Sequence, residues 1–419
     1  MESAVSSQEE RVSFFDRPTV KVEQIPIAEG VPIGIEQITH SQIGIGGAYG
    51  TWGKGYDNQA LTMLIEDRLG IPLPASERLN LAELGFVERH HVPHLSEEDH
   101  LKLEVEVGAR FLRAAAQACG WEPAEVEAVF VGMSGPASED YTETIAREAG
   151  IPDSALKISV HKACDSSVAG LNMALNPGLK IQSKLRENLA ERLLGKKVLV
   201  SGIEGLSRFM MLSHDTNAIQ LFGNGAGVIG LIPGESMRFL AGASHETFDE
   251  EGVLQVRMYY PHSRLRELNQ PLTEVTEKES SIRIAGLMHE PEVDESVVMA
   301  GPMGMVKLFV RTGVQTVLDA YQAYRQKMVE LGMPGKDLVV AIVHHANYKI
   351  NQLKEKNLQR EGIHIPMPWI LKEFGNVSAA SNMIAFLRQL PSLKPGDHIL
   401  IDGFGAGTYY DVLAVEMGG

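Results

Sequence analysis

The chain carries the same sequence elements twice in the same order, and this internal repeat limits the folds open to it. The strings GKKVLVSG at 195–202 and GDHILIDG at 396–403 form the clearest pair, and a glycine loop follows each, GNGAG in the first copy and GFGAG in the second. Towards the N-terminus, CDSSVAGLNMAL from Cys164 has a counterpart in NVSAASNMIAFL from Asn376. A duplicated strand–helix unit explains this order. Two equivalent helix starts would then carry a cysteine in one half and an asparagine in the other.

Strand and helix patterns alternate along both copies. Apolar residues that recur every three or four positions predict a helix from Ser96, where Asp99 completes a capping box, and a long helix over 306–331. The other predicted elements are strands at 128–133, 156–160 and 338–343 and a short helix at 139–149. This alternation indicates an α/β fold in which helices cover mixed sheets.

We divide the chain into three parts. Residues 1–35 are predicted to be an N-terminal extension or flexible arm, because they show no clear periodicity. Residues 36–240 form the half that contains the cysteine, and residues 241–419 form the half that contains the histidine and asparagine motifs. The charged segment 245–300 is expected to form loops or strands near the entrance of the site.

The composition excludes several classes of protein. The 419 residues are 44% hydrophobic and 22% charged, which is ordinary for a globular protein with a large core. A net charge of −16 argues against nonspecific nucleic-acid binding, which needs clustered Lys and Arg. No apolar run approaches the ~18 residues of a membrane span, and the acidic N-terminus does not resemble a signal peptide. With two cysteines only, we expect no disulfide framework and a cytoplasmic location.

Cys164 is the candidate nucleophile. It follows the apolar strand pattern LKISV and precedes a helical pattern that includes Val168, so its sulfur should lie near a helix N-terminus. The helix dipole and free N–H groups there favour the thiolate form. From this feature alone, a buried cysteine that only packs is the alternative. Cys119, on the core face of a predicted helix, is interpreted as structural.

His344, His345 and Asn376 occupy corresponding positions in the second copy. The two histidines end an apolar strand in VHHANYKIN, and since strand neighbours face opposite sides, only one of them can point into a given cleft. Asn376, in GNVSAAS, is also a favourable helix cap. Each residue alone could be structural, but their shared place in a duplicated framework indicates one site.

At these residues the chain resembles the thiolase superfamily, and within it the β-ketoacyl-acyl-carrier-protein synthase III branch. The strings ACDSS, HHAN, GNVSAAS and GFGAG follow the order of that family's motifs. GIEGLSR at 202–208, FGNGAG at 222–227 and GFVER at 85–89 are further similar strings, and the resemblance covers residues 36–419. It implies a five-layered α/β/α/β/α thiolase-like fold, built from two duplicated halves, and a homodimer.

The resemblance also implies roles for single residues. Cys164 would be the acylated nucleophile, and His344 and Asn376 would hold the second thioester. The backbone N–H groups of Cys164 and Ala406 would form the oxyanion hole. The residues implied to bind substrate are Asn347, Phe404 and Arg89, with Phe404 at the acyl pocket. No metal or other cofactor is expected, and the substrates would be thioesters of CoA or of an acyl carrier protein.

The activity implied is carbon–carbon bond formation. A thiolate that accepts the acyl group splits a difficult transfer into two steps, and each donor aimed at the enolate oxygen is typically worth about 3 kcal/mol. We favour decarboxylative condensation with a malonyl thioester. Non-decarboxylating condensation of two acyl thioesters and acyl transfer to an oxygen or nitrogen acceptor stay open. A catalytically silent binding subunit is disfavoured, because Cys164, His344 and Asn376 are retained together.

Three features depart from the family pattern. Leu79 and Glu83 stand where the family has an aromatic residue and a cation that hold the CoA adenine. Asp165 follows the nucleophile, where a small or apolar residue is common. Its charge would oppose the thiolate if it pointed inward, and we expect it to point outward, as an acidic residue of a first helical turn. The chain is also longer than expected, with extra length at 1–35, 176–196 and 245–300.

A group of basic residues follows the histidine motif. Because the adenine contacts are missing, a carrier-bound donor would need a basic docking patch. The candidates are Lys349, Lys354, Lys356 and Arg360. A solvated helix face is the alternative interpretation.

Two other motifs are rejected. The histidines at 90, 91, 94 and 100 lie near acidic residues, but no two of them have a recognised metal-ligand spacing. We expect a polar loop there. The two glycine loops lack the full dinucleotide-binding motif and run into strands rather than helices.

Overall fold

The computed structural model describes residues 13–92, 95–135, 137–208, 216–246, 273–286, 302–405 and 409–418. The strands are β1 (Lys21–Ile25), β2 (Val31–His40), β3 (Ile45–Trp52), β4 (Lys54–Asp57), β5 (Glu88–His91), β6 (Ala128–Gly132), β7 (Leu156–His161), β8 (Val198–Glu204), β9 (Gly225–Leu231), β10 (Met237–Glu246), β11 (Thr273–Glu277), β12 (Ser281–Gly286), β13 (Leu338–Val343), β14 (His398–Gly405) and β15 (Tyr409–Met417). The helices are α1 (Asn58–Leu69), α2 (Glu97–Ala118), α3 (Tyr141–Ala149), α4 (Ser166–Leu175), α5 (Leu189–Arg192), α6 (Thr216–Leu221), α7 (Pro302–Glu330), α8 (Tyr348–Arg360) and α9 (Ala380–Gln389).

Two sheets contain the same four-strand unit. In the first sheet β6 and β8 pair in parallel, and β9 and β3 continue from β8 in antiparallel pairs. In the second sheet β13 and β14 pair in parallel, and β15 and β10 continue from β14 in antiparallel pairs. The order along the chain is also the same in both units: the outer antiparallel strand (β3 or β10) comes first, then the two parallel strands, and then the strand between them and the first (β9 or β15). The common topology confirms the duplicated strand–helix unit.

The layers are arranged so that two helices lie between the sheets. α4 and α9 contact strands of both sheets, α2 packs on the first sheet, and α7 contacts strands of the second. Every residue of α4 is buried, and a helix that is enclosed on all sides needs no polar face. The result is the predicted five-layered α/β/α/β/α arrangement. Of the helices described, none combines the length and apolarity required to cross a bilayer.

Local signals in the sequence explain several element ends. The Ser96 hydroxyl oxygen caps α2 by accepting a hydrogen bond from the Asp99 N–H at 3.1 Å, as the capping box predicts. Gly150 ends α3 with φ of 87°, a conformation that glycine adopts without a Cβ penalty. β13 has the bounds predicted from its apolar run, 338–343. These predictions are confirmed.

The predicted N-terminal arm is wrong from Phe14 onward, since Phe14 is buried in the core. β1 pairs with β2, and β2 pairs with β3, so this segment lengthens the first sheet. Val31 and Ile33 are buried, which is the period-two pattern of a strand with one face on a core. Both predicted boundaries also cut through a strand. The 35/36 boundary lies inside β2, and the 240/241 boundary lies inside β10 of the second sheet.

The segment 245–300 lies partly outside the described residues. Its described part contributes β11 and β12, and β12 pairs in parallel with β7. These strands therefore extend the first sheet beside the strand that leads to Cys164. In the second half, the Ala341 N–H donates to the Pro366 carbonyl at 2.9 Å. The segment around Pro366 therefore lies beside β13, in the position that β7 has beside β6 in the first sheet. Proline has no N–H to donate, and this limits the pairing there.

Candidate active site

Cys164 lies in a sharp turn between β7 and α4. Ala163 adopts a φ of 50°, a conformation that is uncommon for a residue with a side chain. The turn is fixed by Ser166, whose hydroxyl oxygen accepts from the Lys162 N–H at 2.7 Å and donates to the Ala163 carbonyl at 2.6 Å. Cys164 is 8% exposed and lies just before the helix start. The structure thus places Cys164 where a helix dipole stabilises a thiolate.

Asn376 lies in a corresponding turn before α9. Ser378 has a φ of 44°, so both central helices are preceded by a non-glycine residue with left-handed backbone. The Ser378 N–H donates to the Asn376 side chain at 2.9 Å, and the atom that accepts from an N–H must be the amide oxygen. The amide nitrogen of Asn376 is then the atom left to donate to a substrate. Strained backbone of this kind is typical of functional sites.

The two turns meet at one contact. The Ser378 hydroxyl oxygen lies 3.1 Å from the Cys164 sulfur, although the two residues come from different halves of the chain. The following turn of the same segment reaches the histidine, since Ser381 Oγ lies 2.5 Å from His344 Nδ1. Residues 376–381 therefore bring Cys164, His344 and Asn376 together.

His344 is held on three sides. Its N–H donates to the Asp402 carbonyl at 3.0 Å, its carbonyl accepts from the Asn351 side chain at 3.1 Å, and its ring packs edge-on against Phe404 at 4.9 Å between centroids. Burial lowers the pKa of His344 to about 3, and His345 and Lys354 contribute to this shift. The imidazole is therefore neutral at physiological pH. A neutral ring whose Nδ1 accepts from the Ser381 hydroxyl carries its proton on Nε2 and can donate it.

His345 faces away from His344, as strand alternation predicts. Its ring stacks on Trp369 at 4.5 Å, its Nδ1 lies 2.8 Å from the Val343 carbonyl, and its Nε2 accepts from the Ile370 N–H at 3.2 Å. Both ring nitrogens of His345 are thus used within the fold.

The other residues implied by the resemblance are placed differently. Arg89 is completely buried, donates to the Asn58 side chain at 2.7 Å and packs against Gly375, so it supports the Asn376 turn from behind rather than facing solvent. Asn347 caps α8 by accepting from the Ile350 N–H at 3.0 Å. Phe404 is buried against His344, and Ala406 lies outside the described residues.

The prediction that Asp165 points outward is wrong. Asp165 is fully buried, and Gly403 packs so closely that a Cβ on it would lie 2.2 Å from Asp165 Oδ1. Burial raises the pKa of Asp165 well above its usual value, and the charge of Asp411 raises it further. A raised pKa favours the neutral acid, which lessens the repulsion between Asp165 and the neighbouring thiolate. Sequence periodicity could not show this, since the side chain precedes the first regular turn of α4.

Three site residues were missed in the sequence. Ser378 and Ser381 are contained in the GNVSAAS string, but only the asparagine was interpreted. Glu204 is the last residue of β8 and is 2% exposed. It lies within the string GIEGLSR, and an acidic residue at the end of a mostly apolar strand is the signal that the sequence offers.

We expect Ser381→Ala to slow condensation about tenfold and to leave loading of Cys164 unchanged. The alanine removes the hydroxyl that fixes the Nε2–H tautomer of His344, and a single hydrogen bond of this kind is worth about 1 kcal/mol. Single-turnover measurement of loading and unloading would check this. Ser381→Thr, which keeps the hydroxyl, should retain more activity. An equal loss of both steps would show that Ser381 serves the fold as a whole.

The chain is similar to several known proteins. A family model for the C-terminal part of 3-oxoacyl-[acyl-carrier-protein (ACP)] synthase III matches residues 328–417. The β-ketoacyl-[acyl-carrier-protein] synthase III 1 of Streptomyces avermitilis is 30% identical over 231 residues, which are 52% of this chain and span 59% of that protein. The synthase III of Sphingopyxis alaskensis is 22% identical over 82% of this chain and 92% of its own length.

A solved structure shows the same fold. The 3-oxoacyl-(acyl carrier protein) synthase III of Pseudomonas aeruginosa superposes with a TM-score of 0.60 at 18% identity, over 91% of this chain and 98% of that one. The fold and the three clustered site residues define a protein of the thiolase fold. Within that class the chain is similar to the β-ketoacyl-acyl-carrier-protein synthase III branch, which confirms the resemblance seen in the sequence.

Proposed function

We propose that the protein is an acyltransferase that forms a carbon–carbon bond by decarboxylative Claisen condensation of an acyl-Cys164 intermediate with a malonyl-type thioester. The observation that carries this proposal is the contact of 3.1 Å between Cys164 Sγ and Ser378 Oγ. It sets the nucleophile of one half beside the Asn376 turn of the other half. A nucleophile next to two neutral donors is what a two-step acyl condensation needs.

In the first step, Cys164 Sγ attacks the carbonyl carbon of an acyl thioester. The sulfur–carbon bond forms, the carbonyl oxygen becomes an oxyanion, and the bond to the carrier sulfur then breaks. The resemblance gives the backbone N–H of Cys164, just before α4, as one donor to that oxyanion. The resemblance adds the N–H of Ala406 as a second donor. The product of the step is a thioester on Cys164 and a carrier thiol.

In the second step, the malonyl thioester loses carbon dioxide and becomes an enolate. His344 Nε2–H and Asn376 Nδ2–H would donate to the enolate oxygen, where negative charge develops. The carbanion carbon attacks the acyl carbon on Cys164, and the sulfur leaves to give a 3-oxoacyl thioester. Because the pKa of His344 is lowered to about 3, this donor keeps the same protonation state from pH 5 to 9. Substrate contacts by Asn347 and Phe404 are part of the proposal.

A carbon-14 label on the free carboxyl of malonyl thioester tests the proposed reaction. The wild-type protein, first loaded with acyl groups, should release one labelled carbon dioxide for each 3-oxoacyl product. A condensed product without labelled carbon dioxide would instead support the non-decarboxylating reaction. Transfer of the acyl group to an amine or alcohol without condensation would support simple acyl transfer.

The structure changes the membership of the basic patch that follows the histidine motif. Lys354 is fully buried and forms an ion pair with the buried Asp402, so it cannot contact a partner protein. Lys349 pairs with Glu83 at 2.5 Å on the surface. Lys356 and Arg360 are exposed on α8, one turn apart. We propose that these two residues, with Lys349, dock an acyl carrier protein.

We expect Lys356→Glu with Arg360→Glu to raise the KM for a carrier-bound donor about tenfold at low salt, and to leave a small thioester mimic unaffected. Exposed charges act on association mainly through screened, long-range attraction. The matched control is Lys21→Glu with Lys102→Glu, two exposed positions elsewhere that give the same change in net charge. An unchanged KM for the carrier-bound donor would exclude this docking site.

We further propose a homodimer in the cytoplasm. The resemblance supports the dimer, and Cys119 and Cys164 are not joined in a disulfide, which suits a reducing compartment. Light scattering coupled to size-exclusion chromatography measures the oligomeric state. A monomer at micromolar concentration would exclude the dimer.

A further inference from the structure

A line of hydrogen-bonding groups connects the Cys164 sulfur to a buried carboxyl group. The Ser378 hydroxyl lies 3.1 Å from Cys164 Sγ, and it is in short hydrogen-bond contact with the Ser134 hydroxyl. Ser134 Oγ lies 2.7 Å from Glu204 Oε1. The four groups come from four separate segments: the turn before α4, the turn before α9, the chain after β6 and the end of β8.

The carboxyl group at the end of this line is fixed in place. Glu204 Oε1 also accepts from the Ser134 N–H at 2.9 Å and from the Ala379 N–H at 3.1 Å. Glu204 is 2% exposed, so the whole carboxyl group is enclosed by the protein. Burial of an ionised carboxylate costs free energy, which favours the neutral acid and makes this group able to hold a proton.

The hydroxyl groups give the line a direction that depends on where the proton is. A serine hydroxyl has one proton to donate and can accept another. With Glu204 ionised, Ser134 donates to Glu204, Ser378 donates to Ser134, and the thiol of Cys164 donates to Ser378. With Cys164 ionised, every bond is reversed and Glu204 carries the proton. The two forms differ only by one proton shift at each hydroxyl.

We propose that Ser378, Ser134 and Glu204 form a proton relay that takes the thiol proton of Cys164 and holds it while the acyl group occupies the sulfur. Ser378 contacts the reacting sulfur, and Ser134 and Glu204 act through it as positioning residues. The proposal rests on the proposed function, in which Cys164 is the acylated nucleophile.

The protons balance over the whole reaction. When Cys164 is acylated, its S–H bond breaks, the S–C bond forms, and Glu204 gains a proton through the two serines. The expelled carrier thiolate takes a proton from water. When condensation breaks the S–C bond, Cys164 leaves as a thiolate, and the relay returns the proton from Glu204 to it.

The environment of Glu204 suits this task at neutral pH. Burial raises its pKa to about 7, while the donors on Ser134, Ala379 and Ser378 oppose the rise. Among the described residues, the titratable groups near it include Tyr141 on α3, whose pKa the Glu204 charge helps to raise, and the ion pair of Glu104 and Arg208 beside Gly205. A proton acceptor with a pKa near the working pH is the most effective general base.

The alternative is a purely structural role, in which these contacts only hold β6 and β8 against the turn before α9. The pH dependence of Cys164 reactivity distinguishes this role from a proton relay. We would measure alkylation of Cys164 by iodoacetamide and its acylation by a small acyl thioester, both from pH 5 to 10. In the wild-type protein both rate constants should rise with pH to a plateau near pH 7. In Glu204→Gln, Ser134→Ala and Ser378→Ala they should fall about a hundredfold at pH 7 and recover towards pH 10, where hydroxide ionises the thiol directly.

Ser167→Ala is the matched control. Ser167 is an equally buried serine whose hydroxyl donates to the Ala379 carbonyl at 2.6 Å, so it fastens the same turn without joining the relay, and its profile should match wild type. Wild-type pH profiles in the three relay variants would overturn the proposal. It would also be overturned if both rate constants fell by the same factor at every pH and the Tm of the variants were lowered. Alkylation needs no thioester, so a relay seen in alkylation without acylation of the wild type would leave the relay standing and overturn only the proposed function.

Discussion

Replacing Cys164 with alanine should abolish covalent loading, whereas replacing Cys119 with alanine should leave loading intact. Cys164 lies before α4 in contact with Ser378, which is the setting of an activated nucleophile. Burial raises the pKa of the Cys119 thiol to about 12, so Cys119 stays protonated and unreactive. Intact-mass spectrometry after exposure to acyl thioesters measures both variants.

A stable acyl adduct on the Cys164→Ala protein, or on Cys119 of the wild type, would contradict this assignment. Thermal unfolding belongs in the same experiment, because an alanine at Cys164 removes only a sulfur atom and should leave the Tm within a few degrees of wild type.

His344→Ala and Asn376→Ala should still permit loading of Cys164 but slow condensation at least a hundredfold. Each substitution removes a donor aimed at the enolate oxygen, and a donor in that position is worth about 10²–10³ in rate. Pre-steady-state kinetics on protein that has already been loaded isolates this step. Asn376→Asp is a second variant: an aspartate keeps the oxygen that accepts from the Ser378 N–H, but it replaces the donor with an acceptor and adds a negative charge, which should slow condensation further than alanine does.

His345 provides the control for this prediction. Both of its ring nitrogens are engaged within the fold, so His345→Gln should be much milder than His344→Ala. If His345 were essential and His344 dispensable, His345 rather than His344 would be the histidine that faces Cys164. Loss of loading in Asn376→Ala, which adds no charge, would show that the Asn376 side chain acts in the first step.

Much of this architecture could be predicted from the sequence because the chain was duplicated. A repeated order of strings fixes which segments are equivalent, and it placed Cys164 and Asn376 at corresponding helix starts. Strand alternation then separated His344 from His345, and the cap at Ser96 and the glycine at 150 marked helix ends. These signals are local, and they do not depend on which surface a side chain finally meets.

The remaining features depend on tertiary contacts that no local pattern contains. Lys354 looks like a surface lysine of an amphipathic helix, but the buried Asp402 of a distant strand compensates its charge. Asp165 looks like an ordinary acidic residue near a helix start, but it is enclosed between α4 and Gly403. The role of Glu204 becomes visible only when Ser134 and Ser378, from opposite halves, are seen in one line.

The most direct test of the central claim follows one acyl group on the peptide that contains Cys164. The wild-type protein would be loaded with an acyl group and divided into two portions, one of which would be treated with malonyl thioester. Both portions would then be digested with a protease and measured by mass spectrometry. We expect the acyl mass on Cys164 in the untreated portion, its disappearance in the treated portion, and a thioester product two carbons longer in equal amount. An acyl group on any other residue, or its release from Cys164 without a longer product, would contradict the account.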